Sequence, residues 1–268
     1  MTITRLTHLA LEVQSLDRAR EFYEDRLGLG HERIHRTDRE VAYAVGDTGS
    51  RLVLRRPRSI PRGGVHTHFA LSTTADAYDA WIDRCADLDP VERTFGAYRS
   101  LYVDDHDGHC VEIGTLEGAD DAGTRGDTPA LTGIFEVVLE VTSLERSEAI
   151  YRSLGFEVVD RGDDRPRVRL RGPFDLELWE PHIGIADARG GCHVDLGLAS
   201  DDPDVDADRL ADAIATAGSA GSVGGTDATD ATDATDATGE AATEIVEPID
   251  GGVRVRDPDG HRIAIVAE

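Results

Sequence analysis

Residues 6–29 read LTHLALEVQSLDRAREFYEDRLGL, and residues 135–158 read FEVVLEVTSLERSEAIYRSLGFEV. Leu-Glu-Val, Ser-Leu, Arg, Tyr and Leu-Gly recur in the same order, so the second half of the chain repeats the first. Each stretch opens with an apolar alternation that fits a strand, continues with a serine (Ser15, Ser143) placed to cap a helix, and ends on a Leu-Gly stop at Gly28 and Gly155. Weaker copies begin near Val65 (VHTHFALSTTADAYDAWIDRCADL) and Cys192 (CHVDLGLASDDPDVDADRLADAIATAG). The repeats predict four units, each a strand and a helix followed by about three short strands. In the first unit the short strands are HERIHR, VAYAVG and RLVLRRP; in the second they are VERTF, RSLYVDD and CVEIGT.

The copies also locate an insertion. Gly108 and Gly260, in the two Asp-Gly-His turns, lie about 25 residues further apart than His68 and Asp195. The surplus is the small, acidic, low-complexity tract SAGSVGGTDATDATDATDATGEAAT, expected as a disordered loop over about residues 218–243. The polar stretch at 118–131 reads as a linker. It divides a first domain, residues 1–117 with modules 1 and 2, from a second, residues 132–268 with modules 3 and 4.

Of the 268 residues, 53 are Asp or Glu and 28 are basic, giving a formal charge of -25, and every basic residue is arginine. Acid spread along the chain predicts a solvated surface suited to concentrated salt and a cytoplasmic location. It argues against nucleic acid as a partner, because phosphate binding needs basic patches. No apolar run approaches a membrane span, and the amino terminus lacks the apolar core of a signal peptide. Cys85, Cys110 and Cys192 are too few and too scattered for a disulfide framework or a zinc motif. The local basic run RRPRSIPR, with Arg55, Arg56, Arg58 and Arg62, reads as a solvated loop between units.

The stretch DGHCVEIG, residues 107–114, reads as a turn feeding a strand on which Val111 and Ile113 share one face and Glu112 takes the other. His8 and His68 occupy equivalent positions on the first strands of modules 1 and 2. If those two modules pair as halves of one curved sheet, Glu112 faces both imidazoles. Two neutral histidines and one carboxylate form the facial triad suited to non-heme Fe(2+), with open positions for substrate and dioxygen. His8, His68 and Glu112 are therefore the expected metal ligands. His66, two residues before His68, is a rival ligand or a catalytic acid or base. His31, His35, His106 and His109 lie in or beside turns and read as surface residues. In the second half Glu136 stands opposite His8, Asp195 opposite His68 and Ala264 opposite Glu112, so the triad is broken there. Glu177 could join Glu136 and Asp195 as an all-carboxylate set for a second metal, but a degenerate half is the simpler reading.

The βαβββ repeats, His8 and His68, and the ending DHDGHCVEI resemble the vicinal oxygen chelate superfamily, over nearly the whole chain apart from linker and insertion. The resemblance implies an α+β fold of four βαβββ modules pairing into two curved-sheet domains. Four units with a His/His/Glu set look like the type I extradiol dioxygenases, which would make the protein an Fe(2+) enzyme acting with dioxygen on a catechol-like diol. Mn(2+) or another divalent metal is an alternative cofactor. In that family a tyrosine of the ending bonds bound catecholate, which carries to Tyr102 as a catalytic residue. The histidine those enzymes place upstream is absent here, where the chain reads Arg93, Thr94, Phe95. Glyoxalase-like lyases or isomerases are the runner-up; the resemblance gives them four protein ligands, and Val53 stands where module 1 would supply the fourth. A metal-free protein that sequesters a small molecule is the third reading. The expected partner is a small-molecule substrate, with no nucleic acid and no membrane, and the sequence fits a monomer or a homo-oligomer alike.

Overall fold

The computed structural model of the protein describes residues 3–57, 67–116, 124–125, 128–181, 194–220 and 246–268. Module 1 consists of β1 (Ile3–Glu12), α1 (Leu16–Arg20) running into a π-helical turn over Glu21–Arg26, β2 (Arg33–Arg36), β3 (Glu40–Ala44) and β4 (Arg51–Arg55). Module 2 is β5 (His68–Thr73), α2 (Ala75–Cys85), β6 (Val91–Phe95), β7 (Tyr98–Asp104) and β8 (Cys110–Leu116). Two short strands, β9 (Thr124–Arg125) and β10 (Thr128–Pro129), pair with each other before module 3 begins. That module is β11 (Leu131–Glu140), α3 (Leu144–Ser153), β12 (Glu157–Arg161), β13 (Arg167–Arg171) and β14 (Asp175–Trp179). Module 4 is β15 (Asp195–Ser200), α4 (Pro203–Ala220), β16 (Val246–Ile249), β17 (Gly252–Arg256) and β18 (Arg262–Ala267). Most of the inserted tract, like His66 and Cys192, lies outside the described residues; Cys85 and Cys110 are free thiols.

Local signals account for the modules. Ser15 and Ser143 accept a hydrogen bond from the backbone N–H of Arg18 and Arg146, each at 3.4 Å, and so satisfy a helix N-terminus. Gly28 and Gly155 take left-handed φ angles of 73° and 90°, a conformation open to glycine at the stop of a helix. Along β5 and β8 the pleat sends Phe69, Leu71, Val111 and Ile113 into the fully buried core and His68, Ala70 and Glu112 to the opposite face.

The modules join into two eight-stranded sheets in a way the repeat alone does not specify. One sheet runs β16-β17-β18-β15-β1-β4-β3-β2 and joins module 4 to module 1; the other runs β12-β13-β14-β11-β5-β8-β7-β6 and joins module 3 to module 2. The first strands meet antiparallel at each centre, β1 against β15 and β5 against β11. The expected pairing, module 1 with 2 and module 3 with 4, is therefore corrected: each sheet takes one module from each side of the 118–131 stretch. Modules adjacent in sequence instead lock helix to turn. Tyr23 donates a hydrogen bond to Asp105 Oδ2 at 2.9 Å, and at the equivalent place Tyr151 donates to Asp257 Oδ2 at 2.9 Å. The backbone N–H groups of Gln14 and Thr142 donate to Asp107 and Asp259 at 3.2 and 2.9 Å. Among the described residues no helix is long and apolar enough to cross a membrane.

Candidate metal centre

The central seam of the second sheet gathers the polar groups. Register puts Glu136 of β11 opposite Ala70 and Val138 opposite His68, while parallel pairing sets Glu112 beside Ala70 and Glu177 beside Val138. One side-chain ligand atom from each of His68, Glu112 and Glu136 lies within 4.8 Å of the others, and all three residues are buried. An imidazole nitrogen and two carboxylate oxygens at this spacing fit a single divalent cation. Glu177 supplies a further carboxylate to the same cavity, whose volume is about 820 Å³.

Each carboxylate is held. Glu112 Oε2 lies 3.0 Å from His68 Nε2, while its Oε1 accepts from Ser100 Oγ at 2.5 Å and from Tyr98 Oη at 3.0 Å. Burial by itself raises the pKa of Glu112, but the bond and charge of His68, with Ser100 and Tyr98, outweigh it and hold the group below the usual carboxylate range. Gly114 makes room for the tyrosine, because a Cβ there would meet Tyr98 Oη at 1.8 Å. Glu136 differs. Burial and then the charge of Glu177 push its carboxyl up to about 8, against the pull of Arg169, whose guanidinium contacts it. Glu177 accepts from Arg167 at 2.7 Å and from Trp179 Nε1 at 2.7 Å. Tyr102 lines the cavity edge-on to His68, with ring centroids 5.7 Å apart.

His8 is not part of this group. It lies on β1 in the first sheet, where Asp195 Oδ1 is 3.7 Å from its Nε2 and where Gly197 leaves space for the imidazole. Asp195 is completely buried and also accepts from Arg55 Nη2 at 2.7 Å. Burial raises the pKa of Asp195, but His8 and Arg55 more than offset this and depress it strongly. Val53 and Ala264 fill the last-strand positions, so this seam holds a salt bridge where the other gathers carboxylates. Three further expectations change. The His8, His68, Glu112 triad is divided between two sheets; Glu136 and Glu177 belong with His68 rather than with Asp195; and Arg55 is a buried ion-pair partner rather than a loop residue. His109 is fully buried against Asp105, 2.8 Å away, whereas His31, His35 and His106 are exposed as expected. Tyr98 and Ser100 escaped the sequence reading, although Gly114, a glycine inside strand β8, was a mark of close approach.

Residues 5–113 match the model of the Glyoxalase/Bleomycin resistance protein/Dioxygenase superfamily. No curated protein matches the sequence. Among solved structures, a "putative dioxygenase" from Bacillus subtilis aligns with a TM-score of 0.64 at 15% identity, covering 100% of this chain and 86% of its own. Glyoxalase I from Zea mays aligns with a TM-score of 0.59 at 19% identity, covering 98% of this chain and 92% of its own. At such identities the likeness is one of fold.

Proposed function

From the premise that residues 5–113 belong to the Glyoxalase/Bleomycin resistance protein/Dioxygenase superfamily and that the chain carries the two-sheet vicinal oxygen chelate fold, we propose a metal-dependent, glyoxalase-like lyase or isomerase. Its reaction moves a proton at a carbon next to a carbonyl. The observation that carries this reading is the joining of His68 and Glu112 of module 2 with Glu136 and Glu177 of module 3 in one cavity. One imidazole nitrogen and two carboxylate oxygens are thus brought to ligand spacing, with Glu177 lining the same cavity. The objection from Val53 lapses, since module 1 is not the partner of module 2.

His68, Glu112 and Glu136 would hold a divalent cation, which when bound would supply Lewis acidity to the substrate. A carboxylate-rich set with one imidazole suits a hard ion such as Mn(2+) better than the two-histidine triad of non-heme iron. Ser100 and Tyr98 orient Glu112 so that its other oxygen faces His68. A carboxylate has two oxygens, so Glu136 could hold the cation through one and take and return a proton through the other. Arg169 keeps that carboxyl in place.

Extradiol cleavage is the second reading, favoured by Tyr102 on the cavity wall beside His68. One experiment separates the two. Manganese- and iron-loaded protein is incubated in D2O with 2-hydroxyacetophenone, and deuterium entry at the hydroxyl-bearing carbon is followed by NMR; a catechol panel is followed by dioxygen uptake. Exchange by the parent protein that is lost in Glu136→Gln while manganese stays bound supports proton transfer. Dioxygen uptake with catechols and no exchange would replace it with the dioxygenase reading.

A further inference from the structure

The charge of the cavity departs from that of the chain. Acidic residues outnumber basic ones 53 to 28 overall, yet five arginines and five carboxylates line this cavity. A divalent cation there would make the lining net positive inside an acidic protein. Arg167, Arg169 and Arg171 are taken up by ion pairs with carboxylates of the sheet. Arg165 is different. Like Arg93, which donates to the backbone oxygen of Glu92, it forms no ion pair among the described residues; what sets it apart is that its guanidinium stacks 4.0 Å over the Trp179 ring, which is itself anchored to Glu177. Stacking fixes the plane of a guanidinium and leaves its N–H edge open for two parallel bonds to a carboxylate or phosphate.

The mouth is apolar. Val91, Phe95 and Val159 are 43%, 59% and 46% exposed, and all three line the same cavity. Large apolar side chains left in water at the rim of a binding cavity mark the place of an apolar ligand surface.

We propose that the cavity selects an amphipathic anion. Two adjacent oxygens of the substrate meet the metal centre, its apolar body lies along Phe95 and Phe135, and a terminal carboxylate or phosphate is bound by Arg165. This inference rests on the metal-centre reading and adds the substrate class to it.

The test uses the full chain loaded with Mn(2+) and two probes, benzohydroxamate and 4-carboxybenzohydroxamate, titrated calorimetrically. Both carry adjacent oxygens for the metal, and only the second carries the remote anion. The carboxylated probe is expected to bind about tenfold more tightly, an increment that one charge-assisted contact supplies. In Arg165→Gln the ratio should fall to about 1 while benzohydroxamate binds as before. Arg165 is exposed, so the variant keeps the fold, which its melting temperature checks. Equal binding of the two probes by the parent protein, or a ratio that survives Arg165→Gln, overturns the anion subsite alone. Failure of both probes to bind in a manganese-dependent way overturns the metal centre and the subsite with it.

Discussion

Glu136 on β11 and His68 on β5 face one cavity from the two sides of an antiparallel seam, their ligand atoms within 4.8 Å. Residues from opposite halves of the chain thus complete one site. The first-strand residues His8 and Asp195 meet in the same manner across the other seam, but there a buried arginine accompanies them.

Metal binding follows the seam. His68→Ala, Glu112→Ala and Glu136→Ala should each abolish stoichiometric Mn(2+) uptake, while His8→Ala should retain it. Elemental analysis after dialysis measures this directly. Full manganese content in Glu136→Ala would remove that residue from the ligand set.

The residues that orient Glu112 should matter through the metal. Groups that hydrogen-bond a ligand commonly set metal affinity by about 10- to 100-fold. Ser100→Ala or Tyr98→Phe should therefore weaken manganese binding by about tenfold with little change in melting temperature. Gly114→Ala should do the same by displacing Tyr98, whose hydroxyl lies where the new Cβ must go. Unchanged affinity in all three variants would mean that Glu112 needs no such support.

Strands, caps and stops were legible because their causes are local: apolar alternation, a serine oxygen before a helix, a glycine free to take positive φ. Edge partners were not. Each first strand has one edge covered by the last strand of its own module, and the sequence of the other edge fits any of the remaining first strands. His68 and Glu112 could be found from one module; Glu136 and Glu177 could be assigned to them only once β5 was seen to pair with β11. The burial of His109 is hidden from the sequence for a related reason. His109 sits in a turn, but that turn is covered by Tyr23 from another module.

The first seam offers a stability test. Asp195 and Arg55 form an ion pair in which both side chains are at least 94% buried. Removing one partner leaves a buried charge uncompensated, so Asp195→Ala or Arg55→Met should cost about 3 kcal/mol. The double variant should cost less than the two singles together by at least about 1 kcal/mol. Denaturant titrations of the four proteins measure the cycle, and strict additivity would show that the pair is not coupled.

The Asp105 and His109 pair predicts a pH dependence. Burial lowers the pKa of His109, but the carboxylates of Asp105 and Asp107 outweigh it and the net shift is upward. Burial raises that of Asp105, yet His109 and two backbone N–H groups bring it below the ordinary value. The contribution of Asp105 is thus present above about 3.9 and lost as pH falls through its folded value. The contribution of His109 is complete below about 6.5 and lost as pH rises through its folded value. Between about pH 6 and 9 the melting temperature should therefore fall more steeply for the parent chain than for His109→Gln. Parallel profiles would deny His109 this role.

Salt acts on the chain as a whole. With a formal charge of -25, carboxylates repel one another over the folded surface, and the repulsion weakens as the Debye length falls from about 10 Å at 0.1 M to about 3 Å at 1 M salt. Screening approaches saturation near molar concentration, whereas strengthening of the hydrophobic effect by strongly excluded salts continues to grow. Since the repulsive component is the unusual one in this chain, the larger gain in melting temperature should come below about 1 M KCl. The buried Asp195 and Arg55 pair is shielded from solvent and should respond little, so Asp195→Ala should show the same salt curve displaced downward. Thermal unfolding from dilute to multimolar KCl at fixed pH and saturating manganese makes the comparison. A melting temperature that stays flat or falls on leaving low salt would leave the acidity without a stabilising role for salt.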